Sequence, residues 1–327
     1  MTVPTPATGP TPATGPASAI FTDAVTLKQT DPEVFDAAFS AVTQPCPWPK
    51  AYGGDLVAQA AVAAQRTVND GKTLHSMHSY FMRPADIGAE VRYEVETLRN
   101  GRGYSTRQVR AFQRGKVLYA CLASFAAGEQ GGKGGSGGVG GSGGGYEAEF
   151  PSGIPGPETL PSAAQYLARR NGGTMTTESK AYWSEGRGFD MRHVPGPVYL
   201  AVDGSRLPQQ AVWIRPFDAL REVNGLTSAQ RDVAALAYVC DYTILEPVLR
   251  VLGLSWADEG LVTASLDHAM WFHRPGRVDD WLLYAQQAFT AAHGRGLATG
   301  RFFASDGTHL ATVVQEGMIR TLDGGNP

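Results

Sequence analysis

At 327 residues the chain is long enough for two domains of ordinary size, each with its own core. A hydrophobic content of 43% with 18% charged residues is that of a globular protein, not of a disordered chain or a coiled coil. The net charge of -3 argues against nucleic acid as a partner, yet leaves room for a local basic pocket that meets a nucleotide-bearing ligand.

No run reaches the roughly 18 to 20 apolar residues of a membrane span. The beginning of the chain lacks a basic region followed by an apolar one, and its end carries no peroxisomal or endoplasmic-reticulum address. The cysteines Cys46, Cys121 and Cys240 are odd in number and far apart, which speaks against a disulfide framework or a structural zinc. A cytoplasmic protein is therefore expected.

In chain order, residues 1–20 repeat Thr-Pro-Ala-Thr-Gly-Pro twice and offer nothing to bury, so they are predicted to be a disordered tail. Residues 21–130 form a first globular unit. Within it, Leu56 to Ala64 is Ala-rich, free of Gly and Pro, and reads as a buried helix. Strand-like runs follow at Glu90–Leu98, Tyr104–Phe112 and Lys116–Phe125, punctuated by Asn100-Gly101 and Arg114-Gly115. Residues 131–145 are mostly Gly and read as a flexible linker. A second unit, 146–327, repeats the plan with strand-like runs at Val262–Phe272, Trp281–Thr290, Gly296–Ala304 and Leu310–Ile319.

The two units resemble each other. Ala51-Tyr52-Gly53-Gly54-Asp55 answers to Ala237-Tyr238-Val239-Cys240-Asp241, and Tyr80-Phe81-Met82-Arg83-Pro84 to Trp271-Phe272-His273-Arg274-Pro275. Gly101 answers to Gly294 and Gly115 to Gly307, with separations between 186 and 193 residues. Four matches in the same order indicate a duplication. A buried helix followed by antiparallel strands is a sheet wrapped around a helix, an α+β architecture of two hot-dog units in tandem.

These blocks, together with His75-Ser76-Met77-His78-Ser79, Leu266-Asp267-His268-Ala269-Met270 and Val314-Gln315-Glu316-Gly317, resemble the acyl-CoA thioesterase II family. The resemblance covers nearly all of the chain outside the tail and the linker. It implies a double hot-dog hydrolase that converts fatty acyl-CoA to free acid and CoA, needs no cofactor, and positions a water with an Asp, a hydroxyl residue and a Gln. Carried over, these fall on Asp241, Ser265 and Gln315. The family commonly has Gly-Gly-Gln in the first unit, whereas this chain has Gly53-Gly54-Asp55, a second acid without an assigned role.

Under the internal offsets, Leu74 answers to Ser265 and Ala123 to Gln315. The first unit is accordingly read as structural and substrate-shaping, the second as catalytic. Among the residues themselves, Asp241 is a lone acid in apolar surroundings, which fits a paired or capping acid as well as a catalytic one. Thr263 competes with Ser265, being two residues earlier on the same strand face. Gln315 in an apolar strand requires partners.

A thioester has a comparatively stable leaving thiolate, so a carboxylate base and donors that fix a water meet its needs. Backbone N–H groups at a central helix start are expected to meet the oxyanion. The histidine pairs His75/His78 and His268/His273 fall on opposite strand faces and are not expected to chelate a metal. Gly134-Gly135-Ser136-Gly137-Gly138 satisfies a nucleophile-elbow pattern only by composition. Cys240 reads as a small buried residue instead of a nucleophile. A hydratase of similar fold would place a His five residues after its Asp, where this chain has Glu246 after Asp241 and Ala60 after Asp55. A binding protein that has lost its site is a further alternative. The partner expected is acyl-CoA, with neither nucleic acid nor a membrane span, and exposed sheet edges make a homo-oligomer one open outcome.

Overall fold

The computed structural model describes residues 17–127, 146–170 and 175–322. The linker expected at 131–145 and most of the expected tail lie outside them.

The first unit opens with helix α1 (Ala17–Val25), then strands β1 (Lys28–Thr30) and β2 (Ala37–Val42). Helix α2 (Gly53–Gln65) follows, and strands β3 (Lys72–Phe81), β4 (Glu90–Asn100), β5 (Tyr104–Gln113) and β6 (Lys116–Ala127) complete the unit. The tail was expected to run to residue 20, but α1 begins at Ala17. Phe21 explains the helix: it is fully buried, edge-on to Phe189 and Tyr238 with ring centroids at 6.3 and 5.5 Å. An apolar residue with that much burial holds a segment that its Pro-rich neighbours would not.

In the second unit, α3 (Ala163–Arg169) and α4 (Thr177–Ala181) precede strands β7 (Phe189–Val194) and β8 (Gln209–Pro216). Helices α5 (Ser228–Val239) and α6 (Glu246–Leu252) come next, joined by turns that contain Asp241. Strands β9 (Leu261–Ser265), β10 (Asp267–Phe272), β11 (Leu282–Ala292), β12 (Arg295–Ala304) and β13 (His309–Thr321) close the unit.

The strands form one sheet in the order β1-β2-β4-β5-β6-β3-β10-β13-β12-β11-β8-β7, with β9 also on β13. The order reads the same from both ends once β3 is matched to β10, β6 to β13, β5 to β12, β4 to β11 and β2 to β8. The architecture is the double hot-dog that the repeats imply. The halves join where β3 pairs antiparallel with β10, with His78 opposite Ala269. Those two residues are separated by 191 positions, the same separation as Tyr80 and Trp271, so they are each other's counterparts. A pseudo-twofold axis therefore passes between them.

Each half wraps its sheet around a helix. In α2 every residue from Gly54 to Gln65 is buried, as an Ala-rich helix without a polar face requires. The buried Gln59 is satisfied internally: it donates to the Ala24 carbonyl at 2.8 Å and accepts from the Tyr93 hydroxyl at 2.5 Å. Strand register also fixes the counterparts of the site residues. Leu74 lies opposite Phe125, next to a register shift, and Ser265 lies opposite Gly317. Met77 lies opposite Ala123, while His268 and Gln315 lie opposite each other in the second half.

Candidate active site

Asp241 sits in the turn after α5, Ser265 at the end of β9, and Gln315 in the middle of β13. The structure brings all three into direct contact. The Ser265 hydroxyl donates to Oδ1 of Asp241 at 2.8 Å, and Nε2 of Gln315 donates to the same oxygen at 2.6 Å. The amide also donates to Ser265 Oγ at 3.0 Å, so the three side chains form a closed triangle. Asp241 and Ser265 are partly open to solvent, whereas Gln315 is fully buried behind them. Thr263, the competing hydroxyl, is not among these contacts; its backbone carbonyl accepts from the Lys50 ammonium.

Behind Gln315 lies His268, 1% exposed, whose Nδ1 is 2.9 Å from Gln315 Oε1. An amide oxygen can only accept, so Nδ1 carries the proton. That bond fixes which way the Gln315 amide faces and sends its NH₂ toward Asp241 and Ser265. Burial pushes the His268 imidazole down to about 4, the Gln315 bond opposing and the charge of His78 assisting, so it serves as a neutral donor. Its Nε2 faces the Cys240 thiol at 3.6 Å. That thiol also donates to the Ala237 carbonyl, and burial followed by the Asp241 charge holds it well above its ordinary range. Cys240 is therefore a protonated packing residue.

The remaining face of Asp241 is built by the other half of the chain. Helix α2 has no side-chain cap at Tyr52, and its Gly54 N–H, in the first turn, acts to lower the Asp241 carboxyl pKa. Gly53 is the closest approach: a Cβ placed there would lie 2.4 Å from Asp241 Oδ2. At Gly54 a Cβ would meet the Tyr238 carbonyl and the Tyr52 ring, both at 2.3 Å. So the glycine pair is required where two halves press together. The sequence reading made the first unit structural and substrate-shaping; in the structure its backbone also packs against Asp241. Lys50, three residues ahead of Gly53, adds a positive charge that acts on Asp241.

Burial raises the Asp241 carboxyl above its ordinary range. The bonds from Gln315 and Ser265, then Lys50 and the Gly54 N–H, hold it back. Asp55, its counterpart, is fully buried and pushed up to about 7 by burial, with the charge of Asp241 adding to the effect. Its Oδ2 accepts from the Gln44 N–H at 2.7 Å, and among the described residues its Oδ1 has no hydrogen-bond partner. Where the second half has Ser265, Gln315 and His268, the first has Leu74, Ala123 and Met77, all buried and apolar. Asp55 thus has no donors with which to hold a water.

The other candidates resolve into structure. Glu246 accepts from Gln210 at 2.9 Å and Trp256 at 3.0 Å and lies 3.0 Å from His193, all inside the second core. His75 and His273 bond neutral hydroxyls, of Ser124 and Thr312, each at 2.8 Å. The Gly-Ser pattern at 134–138 lies outside the described residues. Sequence reasoning missed Lys50, the contact role of Gly53 and Gly54, and the role of His268. The first three act across some 190 residues of chain, and only the break in helix-forming residues at Gly53-Gly54 hinted at them.

Residues 157–319 match the acyl-CoA thioesterase C-terminal domain and residues 44–126 the acyl-CoA thioesterase N-terminal domain. The chain is 31% identical to acyl-coenzyme A thioesterase 8 of Homo sapiens over 313 residues, covering 93% of this chain and 89% of that one. It is 30% identical to acyl-CoA thioesterase 2 of Haemophilus influenzae, over 88% and 94% of the two chains. A solved acyl-CoA thioesterase II from Mycobacterium marinum superposes with a TM-score of 0.68 at 30% identity, covering 93% of this chain and 99% of its own. With the fold, both units and the repeat order in agreement, the chain belongs to the acyl-CoA thioesterase family and is a hydrolase of that family.

Proposed function

We propose that the protein hydrolyses fatty acyl-CoA to free fatty acid and CoA by direct attack of a water held by Asp241, Ser265 and Gln315. The observation that carries this reading is the closed triangle on one carboxylate oxygen. Ser265 and Gln315 both spend a donor on Oδ1, which aims the carboxylate and leaves the Ser265 oxygen with a free lone pair for a water proton. Oδ2 faces the start of α2.

In this reaction the water oxygen attacks the thioester carbon and its proton passes to Asp241. Raised basicity from burial makes the carboxylate a better acceptor, and help of this kind is worth about 10²–10⁴ in rate. The carbonyl oxygen becomes an oxyanion beside the first turn of α2, where the helix dipole favours negative charge. The carbon–sulfur bond then breaks and CoA leaves. The set needs no cofactor. Three cysteines present as free thiols accord with a reducing, cytoplasmic setting. No helix among the described residues is long and apolar enough to cross a membrane.

Rapid quench with acyl-labelled CoA tests the mechanism. Label should appear in free acid without passing through protein. Acyl label recovered on Ser265 would replace direct water attack by an acyl-enzyme route.

A further inference from the structure

Hydrolysis of a thioester develops negative charge on two atoms, the carbonyl oxygen and the sulfur. The triangle and the α2 start deal with the water and the oxygen, and neither supplies a proton to sulfur. One side chain at the site remains unused by the mechanism.

That side chain is Lys50. It leaves the chain just ahead of Ala51-Tyr52-Gly53, so its backbone is tied to the glycine that seats Asp241 Oδ2. At its far end the ammonium donates to the Thr263 carbonyl, on the strand that ends in Ser265. The side chain therefore bridges from the segment before α2 in one half to the β9 strand of the other, beside Asp241. Lys50, Gly53, Asp241, Thr263 and Ser265 are each partly exposed.

An ammonium has three donors. Among the described residues, its one hydrogen-bond acceptor is the Thr263 carbonyl, and no carboxylate lies within ion-pair distance. Asp241 is near enough to act on it electrostatically without forming a pair. A half-buried lysine that faces an active carboxylate with donors to spare is badly placed for a structural ion pair and well placed for an arriving charge.

We propose that Lys50 is the acid that protonates the departing sulfur. Resting on the hydrolysis reading above, the step runs as follows. The carbon–sulfur bond breaks, its electron pair goes to sulfur, and an Nζ proton of Lys50 passes to the thiolate to give neutral CoA thiol. Asp241 meanwhile holds the proton taken from water. Release of that proton to solvent and uptake of one by Lys50 restore both groups, so one thioester and one water become one acid and one thiol. Burial lowers the Lys50 ammonium from its ordinary range toward that of a thiol, which suits such a transfer.

Leaving-group dependence tests this. The same acyl group is presented as the CoA thioester and as the 4-nitrothiophenol thioester, whose thiolate departs unaided. At a pH well above the Asp241 ionisation, so that loss of the Lys50 charge leaves the base form intact, Lys50→Met should lower kcat on acyl-CoA by about 10²-fold, within the range of general acid help, and on the aryl thioester by less than about threefold. Lys50→Arg keeps the charge but holds its proton too firmly to release it, and should show the same split. Aryl thioester turnover also reports that each variant is folded. Equal losses on both substrates in a variant whose melting midpoint matches the parent would overturn the proposal. So would a change in KM for acyl-CoA with kcat intact, which would make Lys50 a binding residue for the CoA moiety. Asp241→Asn is the separate control: it should lose both substrates equally, and full activity there would sink the hydrolysis reading itself, whatever Lys50 does.

Discussion

Gly53→Ala isolates the contribution of the first half to a reaction centred in the second. The added methyl carbon would sit 2.4 Å from Asp241 Oδ2, where ordinary contact begins at 3.4 Å, so one side must yield by about 1 Å. The backbone at Gly53 is not left-handed, so alanine is conformationally allowed, and in a helix it is favoured over glycine by about 1 kcal/mol. The strain therefore falls on the carboxylate. Asp241 cannot swing away while Oδ1 keeps bonds of 2.8 and 2.6 Å to Ser265 and Gln315, so relief lengthens one or both. A displacement near 1 Å in a reacting group can cost about 10²-fold, equivalent to about 2.7 kcal/mol of barrier. The expected result is kcat lower by about 10²-fold, KM within a few-fold, and a melting midpoint within a few degrees of the parent. Steady-state kinetics on one acyl-CoA and a thermal melt suffice. Unchanged kcat would refute the claim that α2 seats the carboxylate. Gly54→Ala supplies the contrast, because its methyl would strike the Tyr238 carbonyl and the Tyr52 ring, and there the loss should appear as instability.

Replacing Gln315 by Leu leaves the buried His268 Nδ1–H without its acceptor and the Ser265 hydroxyl without its donor, at about 1–3 kcal/mol in urea unfolding. It should also lower kcat by about 10²-fold or more. The pH profile of kcat should rise through one ionisation above the ordinary carboxylate range, since the base form of Asp241 is required and burial raises its pKa; a profile flat from pH 4 upward would contradict that. Asp55 works in the opposite sense on stability. Its folded pKa of about 7 exceeds the unfolded 3.8, so its favourable contribution is full at low pH and is lost as pH rises between the two values. Asp55→Asn should then raise the melting midpoint at pH 8 and leave it nearly unchanged at pH 4. Phe21→Ala should cost about 3–5 kcal/mol in chemical unfolding, because α1 is held by that ring against Phe189 and Tyr238.

The parts of this fold that were legible in the sequence are those with local periodicity. Strands β4 to β6 and β11 to β13 alternate and end in glycine turns, and α2 is uniformly small and apolar. Strands β1, β2, β7 and β8 were missed. Ala37–Val42 is a short apolar run with no alternation, and Phe189–Val194 follows a long irregular stretch, so only partners fixed from elsewhere make them strands. Helix α1 was lost for a related reason, since tertiary burial of Phe21 overrides a Pro-rich neighbourhood. The acid, hydroxyl and amide became visible through resemblance, because residues 241, 265 and 315 share no local pattern. Their supports were harder. His268 looked like an ordinary core histidine, which it also is, and Lys50 lies in a Pro-rich loop whose position only the fold reveals.

The pseudo-twofold axis between His78 and Ala269 sets which half answers to which chemistry. Under the offset of 186 that relates Asp55 to Asp241, Gly53 and Gly54 correspond to Val239 and Cys240. Bare backbone stands beside the Asp241 carboxylate, at positions where the second half carries the Val239 and Cys240 side chains. Each repeat is thus shaped by the other's duties more than by its own. On the proposed hydrolysis reading the smallest catalytic entity is the complete duplication: a fragment starting at residue 146 would carry acid, hydroxyl, amide and imidazole, yet lack the α2 backbone against which the acid rests.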